Sequence, residues 1–316
     1  MKSFIVTGAS GYIGSHMCYE LRRSYPNCHI TAVDRVKKEK LNHLYDEFHL
    51  YDLSRTNFHL MNKRQYDCVF HFASLASVPE GEKYGRKYYE NNLVSLIRVL
   101  NEAIFYHVKN FVFSSSCAVY GPVKPTVTII SEDHPKNPVG VYAKTKSIAE
   151  DILLEAQKNG EINAAILRYF NAAGRNKEAE LYEEHDPETH LIPLLMKSTI
   201  ANIYGDNYDT PDGTAVRDYI HVVDICRAHI RAYEYLDIRK RGIVCNIGTG
   251  KGLSVKQVID AIEEVTEKTM ERVVHHRRQG DVDYLVSDVK RMNDELTFET
   301  QYDIIDIIKS MEGSNK

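Results

Sequence analysis

Phe4-Ile5-Val6-Thr7-Gly8-Ala9-Ser10-Gly11-Tyr12-Ile13-Gly14 is the stretch that decides the fold. A short apolar run reads as a strand, three glycines turn the chain, and from 15 to 23 apolar residues recur at helical spacing. Glycines at such a turn let the backbone bend tightly and approach a pyrophosphate, which can rest on the N–H groups and positive dipole of the helix that follows. Taken alone, a glycine turn is equally well an ordinary entry into a helix. Asp34 changes the balance, because it comes 20 residues after Gly14 at the end of the next strand, His29–Val33. A carboxylate there can accept both ribose hydroxyls of an adenosine. It would also repel a 2′-phosphate, so the residues favour NAD over NADP. Arg35 could hold such a phosphate, or could simply be solvated with Lys37, Lys38 and Lys40.

Working outward, Cys68–Phe72, Phe111–Phe113 and Ala165–Leu167 repeat the apolar strand pattern, with helix-patterned segments at 86–107 and 142–158 between them. Leu93, Leu96, Ile97 and Leu100 form one such helical stripe. Strands alternating with helices imply an α/β fold, a doubly wound parallel Rossmann-type sheet whose ligand crevice lies at the carboxyl ends of the strands. After Asn171 the pattern changes: 172–190 is polar and turn-rich, and shorter elements follow. The expected organisation is a dinucleotide-binding domain over 1–171 and a smaller α/β substrate domain over 172–316, with 219–248 packing back onto the first.

Composition sets bounds. With 316 residues, 43% of them apolar and 27% charged, the chain can build a core and lacks the signature of disorder. Its 40 Lys and Arg against 44 Asp and Glu leave a net charge of −4, which argues against nucleic-acid binding by phosphate neutralisation. No apolar run approaches the 18 residues of a membrane span, and the first residues turn to Gly and Ser too early for a signal-peptide core. Six scattered cysteines without a CxxC pair suit reduced thiols in a cytoplasmic setting. His275 and His276 have no carboxylate or Cys spacing around them, so no metal site is expected.

Tyr142 and Lys146 supply the chemistry. Four residues apart on a helix, two side chains share a face. A phenol, with a pKa of about 10, is a poor base at neutral pH until a nearby cation favours the phenolate. With 21 tyrosines in the chain, spacing alone proves little. Tyr120 also has a Lys four residues on, but Gly121 and Pro122 break any helix there. Tyr142-Ala143-Lys144-Thr145-Lys146 has no breaker and opens the helix to 158. Ser116 ends a hydroxyl cluster directly after Phe111–Phe113, in the crevice, where it can hold a substrate oxygen. Ser114 and Ser115 read as the polar start of a loop.

A glycine turn spaced Gly-x-x-Gly-x-x-Gly, with Tyr142, Lys146 and Ser116, resembles the extended short-chain dehydrogenase/reductase family. Within it, Thr7–His16, His71-Phe72-Ala73, Asn91-Asn92, Phe113–Gly121, Arg168–Asn171 and Val216–Asp224 together resemble the UDP-glucose 4-epimerases. The resemblance implies an NAD site lined by Gly8, Gly11, Tyr12, Ile13, Gly14, Asp34, Arg35, Asp52, Leu53, Phe72, Ala73, Ser74 and Asn91, with Tyr142, Lys146 and Tyr169 at the nicotinamide end. It implies that Asn171, Leu191, Tyr204, Arg217, Arg278 and Asp281 hold the uridine diphosphate, while Ser116 and Tyr142 meet the sugar. Arg277 is the neighbour from which Arg278 must be distinguished. A homodimer through the helices at 86–107 and 142–158 is implied in the same way. The implied reaction oxidises the sugar transiently at C4 and returns hydride to the other face. Sister dehydratases need a carboxylic acid pair directly after the serine, and decarboxylating relatives a Glu in that region; Cys117 and Ala118 stand there instead. Leu285, four residues after Asp281, leaves UDP-N-acetylglucosamine open as a substrate, and a UDP-pentose remains another alternative.

Overall fold

The computed structural model describes residues 1–55, 58–124, 126–183, 188–278 and 280–313. In chain order the strands are β1 Ser3–Thr7, β2 His29–Asp34, β3 Glu47–Leu50, β4 Cys68–His71, β5 Asn110–Ser116, β6 Asn163–Tyr169, β7 Asn171–Ala173, β8 Ile200–Tyr204, β9 Val216–His221, β10 Ile243–Ile247, β11 Gly252–Ser254, β12 Glu271–His275 and β13 Tyr284–Leu285. The α-helices are α1 Tyr12–Ser24, α2 Val78–Lys83, α3 Gly85–Phe105, α4 Val141–Lys158, α5 Leu191–Met196, α6 Val222–Arg239, α7 Val255–Thr266, α8 Lys290–Leu296 and α9 Ile304–Met311. Among the described residues, no helix is long and apolar enough to cross a membrane.

Seven strands form one sheet in the order β10-β6-β5-β4-β1-β2-β3, and the pairings from β3 through β5 are parallel. Winding runs outward from β1 to β3, then restarts at β4 and runs the other way. The switch therefore lies between β1 and β4, where a doubly wound sheet opens its ligand crevice. Both strands are buried throughout, as covered parallel strands must be. Their carboxyl ends meet at Gly8. It holds a positive φ of 70°, and a Cβ on it would come within 2.8 Å of Ala73 N and the Phe72 carbonyl carbon. Gly14 lets α1 close on the same turn, since its Cβ would lie 2.1 Å from the Gly8 carbonyl oxygen.

The chain divides into two compact units: 1–121, 136–168 and 226–245 in the first; 122–135, 169–225 and 246–316 in the second. Beyond the boundary near 171, two segments change unit: 226–245, inside the 219–248 stretch expected to pack back, and 122–135, which the sequence reading did not single out. The apolar strand β10 extends the large sheet, which takes 226–245 into the first unit. Residues 122–135 go to the second because Ile130 bridges Ser287 and donates its N–H to Val286. In the second unit β9 pairs with β7, β11 and β13, and β8 with β12. Its core gathers Ile192, Ile203, Val258, Ile262, Ile307 and Ile308. The amphipathic C-terminal segment forms α9, its first turn closed by a capping box between Asp303 and Asp306.

Ser114 and Ser115 depart from the expected loop start: they are buried residues of β5, at 2% and 0% exposure. A buried hydroxyl needs a partner, and Ser115 donates to Glu150 at 2.6 Å. Glu150 itself is fully buried and accepts from Arg168 Nε and Nη2 at 2.9 and 2.7 Å, with Lys136 Nζ at 3.4 Å. Tyr120, the tyrosine set aside for lack of a helix, packs under the Arg168 guanidinium at 5.0 Å and accepts its Nη1 at 3.1 Å. Removing one member of a buried ion pair leaves an uncompensated charge. Arg168→Met is therefore expected to lower the unfolding free energy by about 3–5 kcal/mol, measured by urea titration. A loss below about 1 kcal/mol would mean that Glu150 is satisfied without the guanidinium.

Candidate functional site

In the first unit, a cavity of about 290 Å³ opens at the carboxyl ends of β1, β2 and β4. Gly8, Gly11, Asp34, Arg35, Asp52, Leu53, Phe72, Ala73, Ser74 and Asn91 line it. Ser10, Lys38 and Tyr51 line it too, although no sequence argument singled them out. Tyr12, Ile13 and Gly14 are not on this wall; they form the first turn of α1, with Tyr12 edge-on to His16 at 5.2 Å. The Asp34 carboxylate is oriented by the backbone, accepting from Ser10 N at 2.9 Å and Val36 N at 3.1 Å. Each oxygen keeps a lone pair for a ligand hydroxyl. Burial opposes the charge of Asp52, but bonds from Ser54 and the neighbouring Arg55 and Arg35 outweigh it, and the carboxyl sits below the usual carboxylate range. A glycine turn at a helix N-terminus with an oriented carboxylate suits a dinucleotide.

α4 carries Tyr142 in its first turn and Lys146 one turn later. Lys146 is only 3% exposed, with Nζ donating to the Ser114 carbonyl at 2.7 Å. The ammonium lies 5.8 Å from the centre of the Tyr142 ring and 4.9 Å from that of Phe113. Burial pulls its pKa from 10.5 down to about 7, with Glu150 acting in the opposite direction. His71 beside it is pushed down to about 3 by burial and by Lys146, so it stays neutral, its Nδ1 2.9 Å from the Thr7 hydroxyl. Ser116 ends β5, half-buried, and its hydroxyl accepts from Ala118 N at 3.2 Å. Asn92 also belongs to this arrangement. It grips Leu75 through both backbone groups, at 2.7 and 3.1 Å, and donates to the Thr145 hydroxyl at 3.0 Å. The Asn91-Asn92 pair was visible in the sequence, but the clamp was not.

All six residues that the resemblance assigns to the uridine diphosphate fall in the second unit. Arg217 on β9 pairs with Asp281 and donates to the Val216 and Val282 carbonyls at 2.8 and 2.9 Å. Arg278 lies over the Tyr204 ring at 4.1 Å, and His275 stacks on that ring at 5.2 Å. Arg277 is committed elsewhere, over Tyr208 at 3.8 Å and bonded to Asn207 Oδ1 at 2.7 Å. Asn171 on β7 has a buried Nδ2 that meets no acceptor among the described residues. Leu191 opens α5, and Leu285 pairs with Arg217 across β13 and β9. Tyr169, at the end of β6, also falls in this unit. Asp218, which the sequence left without a role, is fully buried and accepts from Thr249, Gly250 and Ser287, fixing the loops behind Arg217. Glu183, Glu188 and His190 bring their ligating atoms within 4.8 Å of one another. His190 Nδ1 is 2.6 Å from Glu183, whose hydrogen bond raises the imidazole pKa, so an ion pair accounts for the group.

The model of the NAD dependent epimerase/dehydratase family matches residues 4–248. The chain belongs to that family. This family member is 36% identical to the UDP-glucose 4-epimerase of Rhizobium leguminosarum bv. trifolii, over 98% of its own length and 96% of that protein. Among solved structures it resembles the UDP-glucose 4-epimerase from Brucella ovis in complex with NAD, with a TM-score of 0.90 at 34% identity over 98% and 97% of the two chains. It also resembles the Bifidobacterium longum enzyme solved with NAD+ and UDP, with a TM-score of 0.87 at 30% identity over 98% and 96%.

Lys146 gives a testable sign. Its folded pKa lies below the unfolded value, so between about 7 and 10.5 the unfolded chain binds the extra proton and stability rises with pH. Lys146→Met removes this slope. NAD-free wild-type protein should therefore gain on the order of 1–3 kcal/mol of stability relative to the variant between pH 7 and pH 9, read by denaturant unfolding. Parallel pH profiles would mean that Lys146 is not held near neutrality.

Proposed function

We propose that this protein interconverts UDP-galactose and UDP-glucose by epimerising the sugar at C4 through a transient 4-keto form, with NAD as its cofactor. The observation that carries this is the buried Lys146 ammonium beside the Tyr142 ring, in the unit that also holds the glycine-turn cavity with its oriented Asp34. The UDP-glucose 4-epimerases and the NAD-bound structure above support it.

The residues fit the cofactor: Gly8 and Gly11 keep the turn free of side chains, and Asp34 retains acceptors for ribose hydroxyls. When bound, NAD supplies a reversible hydride acceptor for the sugar's C4. Tyr142 takes the proton from the 4-hydroxyl and later returns it. Lys146 favours the phenolate by its charge, which the Ser114 carbonyl and Glu150 help to retain. Ser116 holds the sugar oxygen in line. In the second unit, Arg217 and Arg278 offer forked donors to the diphosphate, Asn171 offers its buried amide, and Tyr204 an aromatic face. Asp281, released from Arg217, is an acceptor for a ribose hydroxyl. A tight nucleotide grip with few sugar contacts lets the flat keto sugar turn over before reduction on its other face.

We place the enzyme in the cytoplasm, supported by six cysteines that all remain thiols. We also assign it a homodimer through α3 and α4, whose exposed Ile97, Phe105 and Ile148 support such a face.

Incubated with UDP-galactose, the protein is expected to yield UDP-glucose without net NADH. Stoichiometric NADH, or a stable keto product, would indicate a dehydrogenase or dehydratase. A panel that adds UDP-N-acetylglucosamine and a UDP-pentose measures the breadth of sugar specificity that Leu285 leaves open. Tyr142→Phe should cut turnover by at least ~100-fold and leave UDP binding by calorimetry nearly unchanged. Full turnover in that variant removes Tyr142 from the mechanism.

A further inference from the structure

The first turn of α4 is capped in an unusual way. A helix begins with N–H groups that have no partner inside the helix, and a Ser, Thr, Asp or Asn at the N-cap normally satisfies one of them. The N-cap of α4 is Gly140, which has no side chain to offer and holds a positive φ of 82°. The first helical N–H, that of Val141, is nevertheless bonded. It donates to Oε1 of Glu82 at 2.9 Å, a residue 59 positions earlier in the chain. The positive φ at Gly140 favours glycine there, and the Glu82 carboxylate approaches closely, its Oε1 lying 2.7 Å from where a Cβ would be. A carboxylate at this end also complements the positive end of the helix dipole. The next residue is Tyr142.

Glu82 is well placed to transmit more than a cap. It lies on α2, which starts three residues beyond Leu75, and Ser74 and Leu75 are on the wall of the dinucleotide cavity. Asn92 ties the same stretch to α4 by joining Leu75 to Thr145, whose hydroxyl donates to the Tyr142 carbonyl at 2.8 Å. The base-bearing turn is thus held at two points to the segment that closes one side of the cavity. One point is the Asn92 amide and the other is the Glu82 carboxylate.

We propose that Glu82 is a positioning residue for Tyr142: it caps α4 from outside the helix and holds the tyrosine's turn in register with the cofactor-lining segment. This rests on Tyr142 being the base. Glu82 is not on the wall of the dinucleotide cavity, so its removal should slow the chemical step and leave UDP-sugar binding alone.

The test compares Glu82→Ala and Glu82→Gln in the full chain with NAD and UDP-galactose. Glutamine keeps an acceptor oxygen at the same reach and loses the charge. Glu82→Ala is expected to lower kcat about three- to tenfold, the fold-change equivalent of one helix cap, with KM for UDP-galactose changed less than twofold. Amide exchange across 140–146 should quicken in the same variant. Glu82→Gln should recover kcat and exchange to within twofold of wild type. The proposal is overturned if Glu82→Ala keeps wild-type kcat, if exchange across 140–146 is unchanged, or if KM rises in step with a fall in kcat. The exchange measurement reads the cap whatever the base is. Faster exchange with unaltered kcat would leave the cap standing and remove its positioning role, whereas Tyr142→Phe at full activity would overturn the role of Tyr142 on which the proposal rests.

Discussion

An ammonium has to be kept inside the protein next to a phenol, and much of the first unit bears on how that is done. Burial works to discharge Lys146, and it pulls the pKa down to about 7 even with Glu150 acting to raise it. Two groups oppose the loss: the Ser114 carbonyl, which accepts its proton at 2.7 Å, and the buried Glu150 carboxylate. Glu150 in turn is paired with Arg168 and Lys136 and accepts from the Ser115 hydroxyl. The end of β5 therefore does three things. Ser114 holds the lysine through its backbone, Ser115 satisfies the carboxylate, and Ser116 offers its hydroxyl at the strand's end. A run of three serines leaving a strand is a polar lining for a buried charge.

That run also shows where the sequence was legible and where it was not. Apolar strands that must be covered on both faces announced themselves as unbroken runs, so β1, β2, β4, β5 and β6 could be placed from the chain alone. The glycine turn and Asp34 at the end of the next strand together pointed to the ends of β1 and β2, where the cavity opens. Tyr142 was separable from Tyr120 because Gly121 and Pro122 forbid a helix. Ser114 and Ser115 were misjudged because a serine looks like a loop residue until its buried partner is known. Glu150, Asn92 and Asp218 escaped for the same reason: a buried polar residue and a solvated one have the same letter.

The division of the chain was harder to read. Composition marks the change after Asn171, but each unit also takes in a segment distant in sequence. Ile130 leaves for the second unit because its N–H finds the Val286 carbonyl. β10 returns because an apolar strand without a partner finds an open sheet edge. The nucleotide residues of the second unit were nominated by resemblance. Their geometry adds that Arg217 and Asp281 satisfy each other, and that of two adjacent arginines only Arg278 lies over Tyr204.

The central claim is that the sugar is oxidised and reduced at one carbon, with only the oxygen-bound proton handled by the protein. The most direct measurement is turnover of UDP-galactose carrying deuterium at C4, followed by mass and NMR analysis of the UDP-glucose formed. The account predicts that the label stays at C4 through complete conversion in ordinary water. Loss of deuterium to solvent would contradict it, since that outcome requires a base acting on carbon and leaves no task for the Tyr142–Lys146 pair at oxygen.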